Sequence, residues 1–285
     1  MIRLDAATVL LQWASGGLLF AWVTTRHREV GLGYGWLLRG TYVLVALGAF
    51  VAGVGIEPVP VREAASLGVV IAAGFALGSS IVRRQAGVSG QRSEHDRRSA
   101  RVAAMTGIDR DAPSGASIEG PEFDPRLDLV APAIGAVGLV AAALDAGGSP
   151  LLAVARTLTG AAFLGSITDA MLLGHWYLVQ PGLPRRLLDE LVRWVGIVWV
   201  PEVLLLLVPT GMVQVINGSV DDGWGGVLGW MWLVCAVTTI GLVLVTRAAL
   251  KERQYSAVMA ATGLLYLAIL TAFGTDLVAR AVLAA

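Results

Sequence analysis

The chain has 285 residues, 56% of them hydrophobic and 15% charged, with a mean hydropathy of +0.71. That balance excludes a soluble domain of this length, which would need more charge to cover its surface, and calls for lipid as solvent. The 21 basic and 21 acidic residues cancel to a net charge of zero, but they are spread unevenly along the chain.

Crossing the hydrocarbon core takes about 20 mostly apolar helical residues. Runs of that kind stand at about 7–25, 36–56, 63–82, 127–145, 151–180, 190–209, 226–247 and 255–278. The first follows Met1-Ile-Arg-Leu-Asp5 with no basic leader and no small-residue cleavage site, so it reads as a span and not as a cleavable signal. Glu57-Pro-Val-Pro60 separates the second run from the third. Asp145-Ala-Gly-Gly-Ser-Pro150 makes a tight turn between the fourth and fifth. The expected fold is therefore an all-α polytopic membrane bundle: three spans within residues 1–82, a linker at 83–126 and five spans within 127–285.

Lys and Arg resist translocation, so their distribution orients the spans. With loops assigned alternately to two sides, seventeen basic residues fall on one side and four on the other. The richer side is read as cytoplasmic. An even number of spans then leaves both termini outside, in a bacterial cytoplasmic membrane. The linker carries eight of those arginines and lacks the apolar period of a packed domain, so it reads as a solvated loop or a contact for anionic lipid or an acidic partner. Because the arginines follow topology, they do not point to nucleic acid.

Short self-similarity exists between Thr159-Gly-Ala-Ala-Phe-Leu-Gly-Ser-Ile-Thr168 and Thr262-Gly-Leu-Leu-Tyr-Leu-Ala-Ile-Leu-Thr271, in spans of opposite direction. Inverted repeats mark many transporters, but ten residues from a Gly-, Leu- and Ala-rich alphabet are matched as easily by chance.

Ionisable groups at membrane depth cost several kcal/mol unless paired, protonated or hydrated, which makes each one a candidate for function. Arg39 and Arg193, near cytoplasmic helix ends, are expected to snorkel. Arg156, Asp276 and Arg280 are expected near the outer surface, paired or meeting water. Asp169 and Glu202 remain, each roughly 16 Å from the cytoplasmic face by the helical rise. Carboxyls sharing an apolar site cannot easily both ionise, so the two are candidates for holding a proton or cation. Pro201 removes a backbone hydrogen bond beside Glu202. The structural alternative is that both are hydrogen-bonded helix links.

His175, in Gly174-His-Trp-Tyr-Leu178, is a candidate ligand contact. A quinone site needs a polar hook and apolar walls near the membrane surface, and His175, Trp176, Tyr177 and Gln180 could supply them. The bland alternative is an interfacial aromatic belt with an incidental histidine. Haem is disfavoured within this chain, since His27 and His95 lie in loops. The only cysteine, Cys235, excludes a disulfide framework and a cysteine-held metal cluster. There is no HExxH, GxSxG or phosphate-binding glycine loop, so no catalytic residue and no metal ligand is assigned.

Three functions are compatible with these features: a membrane subunit of a redox or energy-converting complex, contacting quinone and other subunits; a proton- or cation-coupled transporter of a small solute; and an anchor or scaffold subunit without a site.

Overall fold

The computed structural model describes residues 2–90, 121–180, 182–209, 211–252 and 254–283. Among them the regular structure is entirely helical. The long helices are α1 (Ala6–Thr25), α2 (Leu32–Gly55), α3 (Pro60–Val82), α4 (Val130–Asp145), α5 (Pro150–Val179), α6 (Arg186–Leu207), α8 (Val227–Lys251) and α9 (Tyr255–Leu283). A five-residue helix, α7 (Met212–Ile216), interrupts the connection from α6 to α8.

Local chemistry sets the starts. Asp5 caps α1, its carboxylate accepting from the amides of Ala7 and Thr8 at 3.1 and 3.2 Å. Pro60 and Pro150 open α3 and α5, where a missing N–H costs nothing. Asp222 gathers the amides of Trp224, Gly226 and Leu228 at 2.8–2.9 Å in front of α8.

Seven of these helices, all but α6, are long and apolar enough to cross a membrane, α4 when taken with the 3-10 turns that lead into it (Pro125–Asp145), which marks a multi-pass membrane protein. Leu44, Ile71, Phe75, Val137, Val234 and Leu270 stand exposed on their outer faces, an apolar surface suited to lipid. In α6, the charged Asp189, Glu190, Arg193 and Glu202 lower the apolar content.

The helices form two closed rings in the same chain order. In the first, α1 meets α2, α2 meets α3, α3 meets α4, and α4 returns to α1; in the second, α5, α6, α8 and α9 repeat the circuit. The rings join chiefly where α1 crosses α5. There a Cβ on Gly16 would stand 1.8 Å from the carbonyl oxygen of Ala161, so only glycine permits that approach. Between membrane helices such close packing replaces the hydrophobic effect as the source of association. Polar links add to it: Trp199 Nε1 donates to Ala236 O at 3.0 Å, and Thr239 Oγ1 to Thr271 Oγ1 at 2.7 Å.

One end of the bundle is basic. Arg26 and His27 meet Glu190, Arg28 meets Glu122, Arg186 meets Glu29, and Arg185 donates to the carbonyls of Glu252 and Gln254. At the opposite end Arg62 binds Asp5 and Glu63, and Arg3 faces Asp145 at 3.6 Å.

One expectation needs correction. Arg39 does not snorkel: it is 3% exposed, its Nε and Nη2 each 2.7 Å from the carboxylate of Asp128, with Phe123 under its guanidinium. A buried bidentate pair satisfies the charge better than a long reach to water. Phe123 comes from the end of the linker; the stretch 91–120, including His95 and five of the linker's eight arginines, lies outside the described residues.

Candidate functional site: a buried ionic cluster in the second ring

Four charged side chains come together inside the second ring, at the end opposite the basic one. Arg156 stands on α5, Glu202 on α6, and Asp276 and Arg280 on α9, each no more than 2% exposed. Of the three expected near the outer surface, paired or meeting water, Asp276 and Arg280 are paired and all three are buried; Glu202, expected to share a site with Asp169, stands with them instead. Two positive and two negative groups give the cluster no net formal charge, which removes much of the cost of burying each.

The sequence explains how each is held. Pro209 has no N–H, so the carbonyl four residues earlier, Leu205 O, lacks a helical donor. Arg156 Nε supplies one at 2.7 Å, placing a cation at the C-terminal end of α6. Asp276 and Arg280, one turn apart, pair through Oδ2 and Nε at 2.8 Å. Arg280 also reaches Arg3 O at 3.3 Å, which ties the N-terminal segment to the cluster. Glu202 lies within electrostatic reach of Asp276, Arg280 and Arg156. Thr159 adjoins it too, but its hydroxyl donates to Ala155 O at 2.8 Å.

Gln12 of α1 closes the cluster from the first ring, its Nε2 donating to Thr157 O at 2.7 Å. Gly160 provides the space. A Cβ there would lie 2.6 Å from Gln12 Nε2, 2.8 Å from Asp276 Oδ1 and 3.6 Å from Arg280 Nη2. Around this notch several buried polar atoms have no hydrogen-bond partner among the described residues: Gln12 Oε1, both Glu202 oxygens, Asp276 Oδ1 and Arg280 Nη2. Unsatisfied buried groups each cost about 1–3 kcal/mol, so such a concentration makes this notch the candidate site of the chain.

Asp169 is equally buried but has other partners. Tyr42 of α2 donates a hydrogen bond to its Oδ1, and the tyrosine ring fits where a side chain on Gly17 would stand. Asp169 Oδ2 and the nearby Tyr34 hydroxyl have no partner among the described residues. Asp169 thus belongs to the α1–α2–α5 contact and Glu202 to the α5–α6–α9 contact, and no hydrogen bond joins them.

His175, Trp176 and Tyr177 fan out over different faces, as successive 100° steps require, while Trp176 and Gln180, one turn apart, share a face. His175 is exposed and stands beside Tyr266, with Nδ1 3.3 Å from the hydroxyl. Trp176 packs over Tyr34 and donates to Gln180 Oε1 at 3.2 Å. Tyr177 is buried and donates to Pro184 O at 2.8 Å. Gln180 clamps the α1–α2 loop, accepting from Gly31 N and donating to Glu29 O. No group of three or more His, Cys, Asp or Glu side chains able to hold a metal occurs among the described residues.

The sequence reading singled out Glu202 and missed its partners. One signal was present: Asp276 and Arg280 at i,i+4 in an otherwise apolar helix. Comparison with known proteins adds nothing further, since no family model, curated protein or solved structure matches the chain.

Proposed function

We propose that the chain is a proton-coupled membrane transporter of a small solute, with Glu202 as the proton carrier and Arg156, Asp276 and Arg280 as the charges that switch partners around it. The observation that carries this reading is the Glu202 carboxyl, fully buried, with neither oxygen hydrogen-bonded among the described residues, beside two arginines and a second carboxyl. A fully buried carboxyl can take a proton without leaving its site, and doing so changes the cluster from neutral to a single net positive charge, which is the change that would couple protonation to a rearrangement of partners. Asp169, bonded to Tyr42 at the ring junction, serves as a second proton site in the same reading.

In this reading all eight long helices cross a bacterial cytoplasmic membrane, with both termini outside. Support for α6 as a span comes from its 22 residues and from the outward-facing Ile197, Val200 and Leu204. Support for the orientation comes from the gathering of basic loops at one end.

A second reading, a subunit of a redox complex that contacts quinone, draws on one observation: His175 and Tyr266 form an exposed polar pair on an apolar surface. It would require partner subunits.

The test is proton movement into liposomes holding the purified full chain and an internal pH dye, driven by an imposed potassium potential. The expected result is a folded Glu202→Gln variant with at least a tenfold lower rate. A folded Glu202→Gln protein with an unchanged rate overturns the assignment of Glu202 as carrier.

A further inference from the structure

Between the segment before α1 and the ionic cluster lies a cavity of about 20 Å³. Among the described residues its wall holds Arg3, Arg62 and Arg280 together with Asp5, Glu57 and Asp145, three positive and three negative groups with no net formal charge. One water needs roughly 10–15 Å³ and two or more polar partners, so the chamber suits water and is too small for an organic solute. Arg280 is shared between this cavity and the notch at Gly160. Its Nη1 donates to Arg3 O at 3.3 Å, while Nη2 is the nitrogen 3.6 Å from a Cβ on Gly160 and has no partner among the described residues. The same guanidinium acts electrostatically on Glu202.

The segment before α1 supplies one side of the cavity through Ile2, Arg3 and Asp5. Asp5 is fixed by the first amides of α1 and by Arg62. Ile2 is 1% exposed, in the apolar cluster of the second ring that includes Leu206 and Met212. Between these anchors Leu4 is exposed, and Arg3 faces Asp145 at 3.6 Å with both side chains about half exposed. An ion pair that open to water is weak. One apolar side chain and one loose pair therefore hold residues 2–4 down, and lifting them also takes Arg3 O away from Arg280.

We propose that this cavity is the outer entrance for protons to the ionic cluster, and that residues 2–4 are the strap that closes it. The proposal rests on the reading of Glu202 as proton carrier and gives that carrier a path to one side. With the strap down, Arg280 stands between the cavity and the notch. With it lifted, Arg280 loses an acceptor and is free to turn, so water in the cavity joins the notch around Glu202.

The experiment uses the full chain in membrane vesicles of known sidedness, in a Cys235→Ser background. Thr157→Cys on the cavity wall is the reporter, and an impermeant quaternary-ammonium methanethiosulfonate is the probe. Modification is expected from the outer side alone, at least tenfold faster once Ile2→Ser and Arg3→Ala are added. Because the adduct fills the cavity, proton movement should then fall at least tenfold. Ala146→Cys, a partly exposed position of the same wall, keeps the test decisive if Thr157→Cys fails to fold. Modification from the inner side, a rate unchanged by the two strap substitutions, or an adduct that leaves proton movement intact overturns the proposal. Should that happen while Glu202→Gln still stops proton movement, the entrance falls and Glu202 stands as carrier. If the adduct blocks proton movement that Glu202→Gln leaves normal, the entrance stands and the carrier falls.

Discussion

Asp276 and Arg280 pair at 2.8 Å across one turn of α9 with both side chains only 1% exposed, and each keeps one polar atom without a partner among the described residues. The acid precedes the base, the favoured i,i+4 direction, and Arg280 sits in the last turn of the helix where a cation is favoured.

Removing one member of such a pair leaves the other as an uncompensated buried charge. Asp276→Leu and Arg280→Met are each expected to cost about 3–5 kcal/mol, while the double variant should recover most of that loss. Thermal unfolding of the four proteins in one detergent measures the coupling. Strictly additive losses would show that the pair contributes nothing.

The α1–α5 crossing gives a paired prediction from two glycines. A methyl at Gly16 meets Ala161 O, whereas one at Gly40 meets nothing within 4 Å. Gly16→Ala should therefore destabilise by about 1–3 kcal/mol through forced separation of the helices. Gly40→Ala should be neutral or stabilise by about 0.4–1 kcal/mol. Equal melting temperatures for both variants would remove the crossing as the junction of the rings.

Asp222 supplies a pH dependence. Backbone amides of Gly226, Trp224, Leu228 and Gly229 hold its carboxylate, which lowers its pKa below the ordinary aspartate value. Because the folded pKa lies below the unfolded one of about 3.9, the stabilisation is present above that value and fades as pH falls through the folded pKa. Lowering the pH from 5 toward 3 should lower the melting temperature of the native chain more than that of Asp222→Ala. The same acid sensitivity in both would assign the loss to other carboxylates.

Topology is checked by cysteine labels in a Cys235→Ser background. Gln254→Cys lies in the α8–α9 connection at the basic end, and Ser219→Cys in the connection before α8 at the other. An impermeant reagent should reach the first only from the cytoplasmic side and the second only from outside. Reaction of both from one side would reject the eight-span arrangement.

Residue order by itself determined the membrane class, the long helices to within a few residues at most ends, and the uneven placement of basic residues. These are local properties: an apolar run long enough to cross lipid must close its own hydrogen bonds, and only a helix does so within one segment. The buried state of Glu202 and Asp169 was legible for the same reason, since each interrupts an apolar stretch. Their partners were not. Depth along a helix can be counted from the sequence, but the face that a residue presents and the helix that meets it depend on how the two rings close. Tyr42 reaches Asp169 only because Gly17 leaves room for its ring. Arg156, Asp276 and Arg280 looked like surface residues because they stand near helix ends, yet the tertiary packing turns them inward. Once a charge is buried, the low dielectric makes a nearby countercharge worth more than a strained path to water, and that choice is made by neighbours distant in the chain.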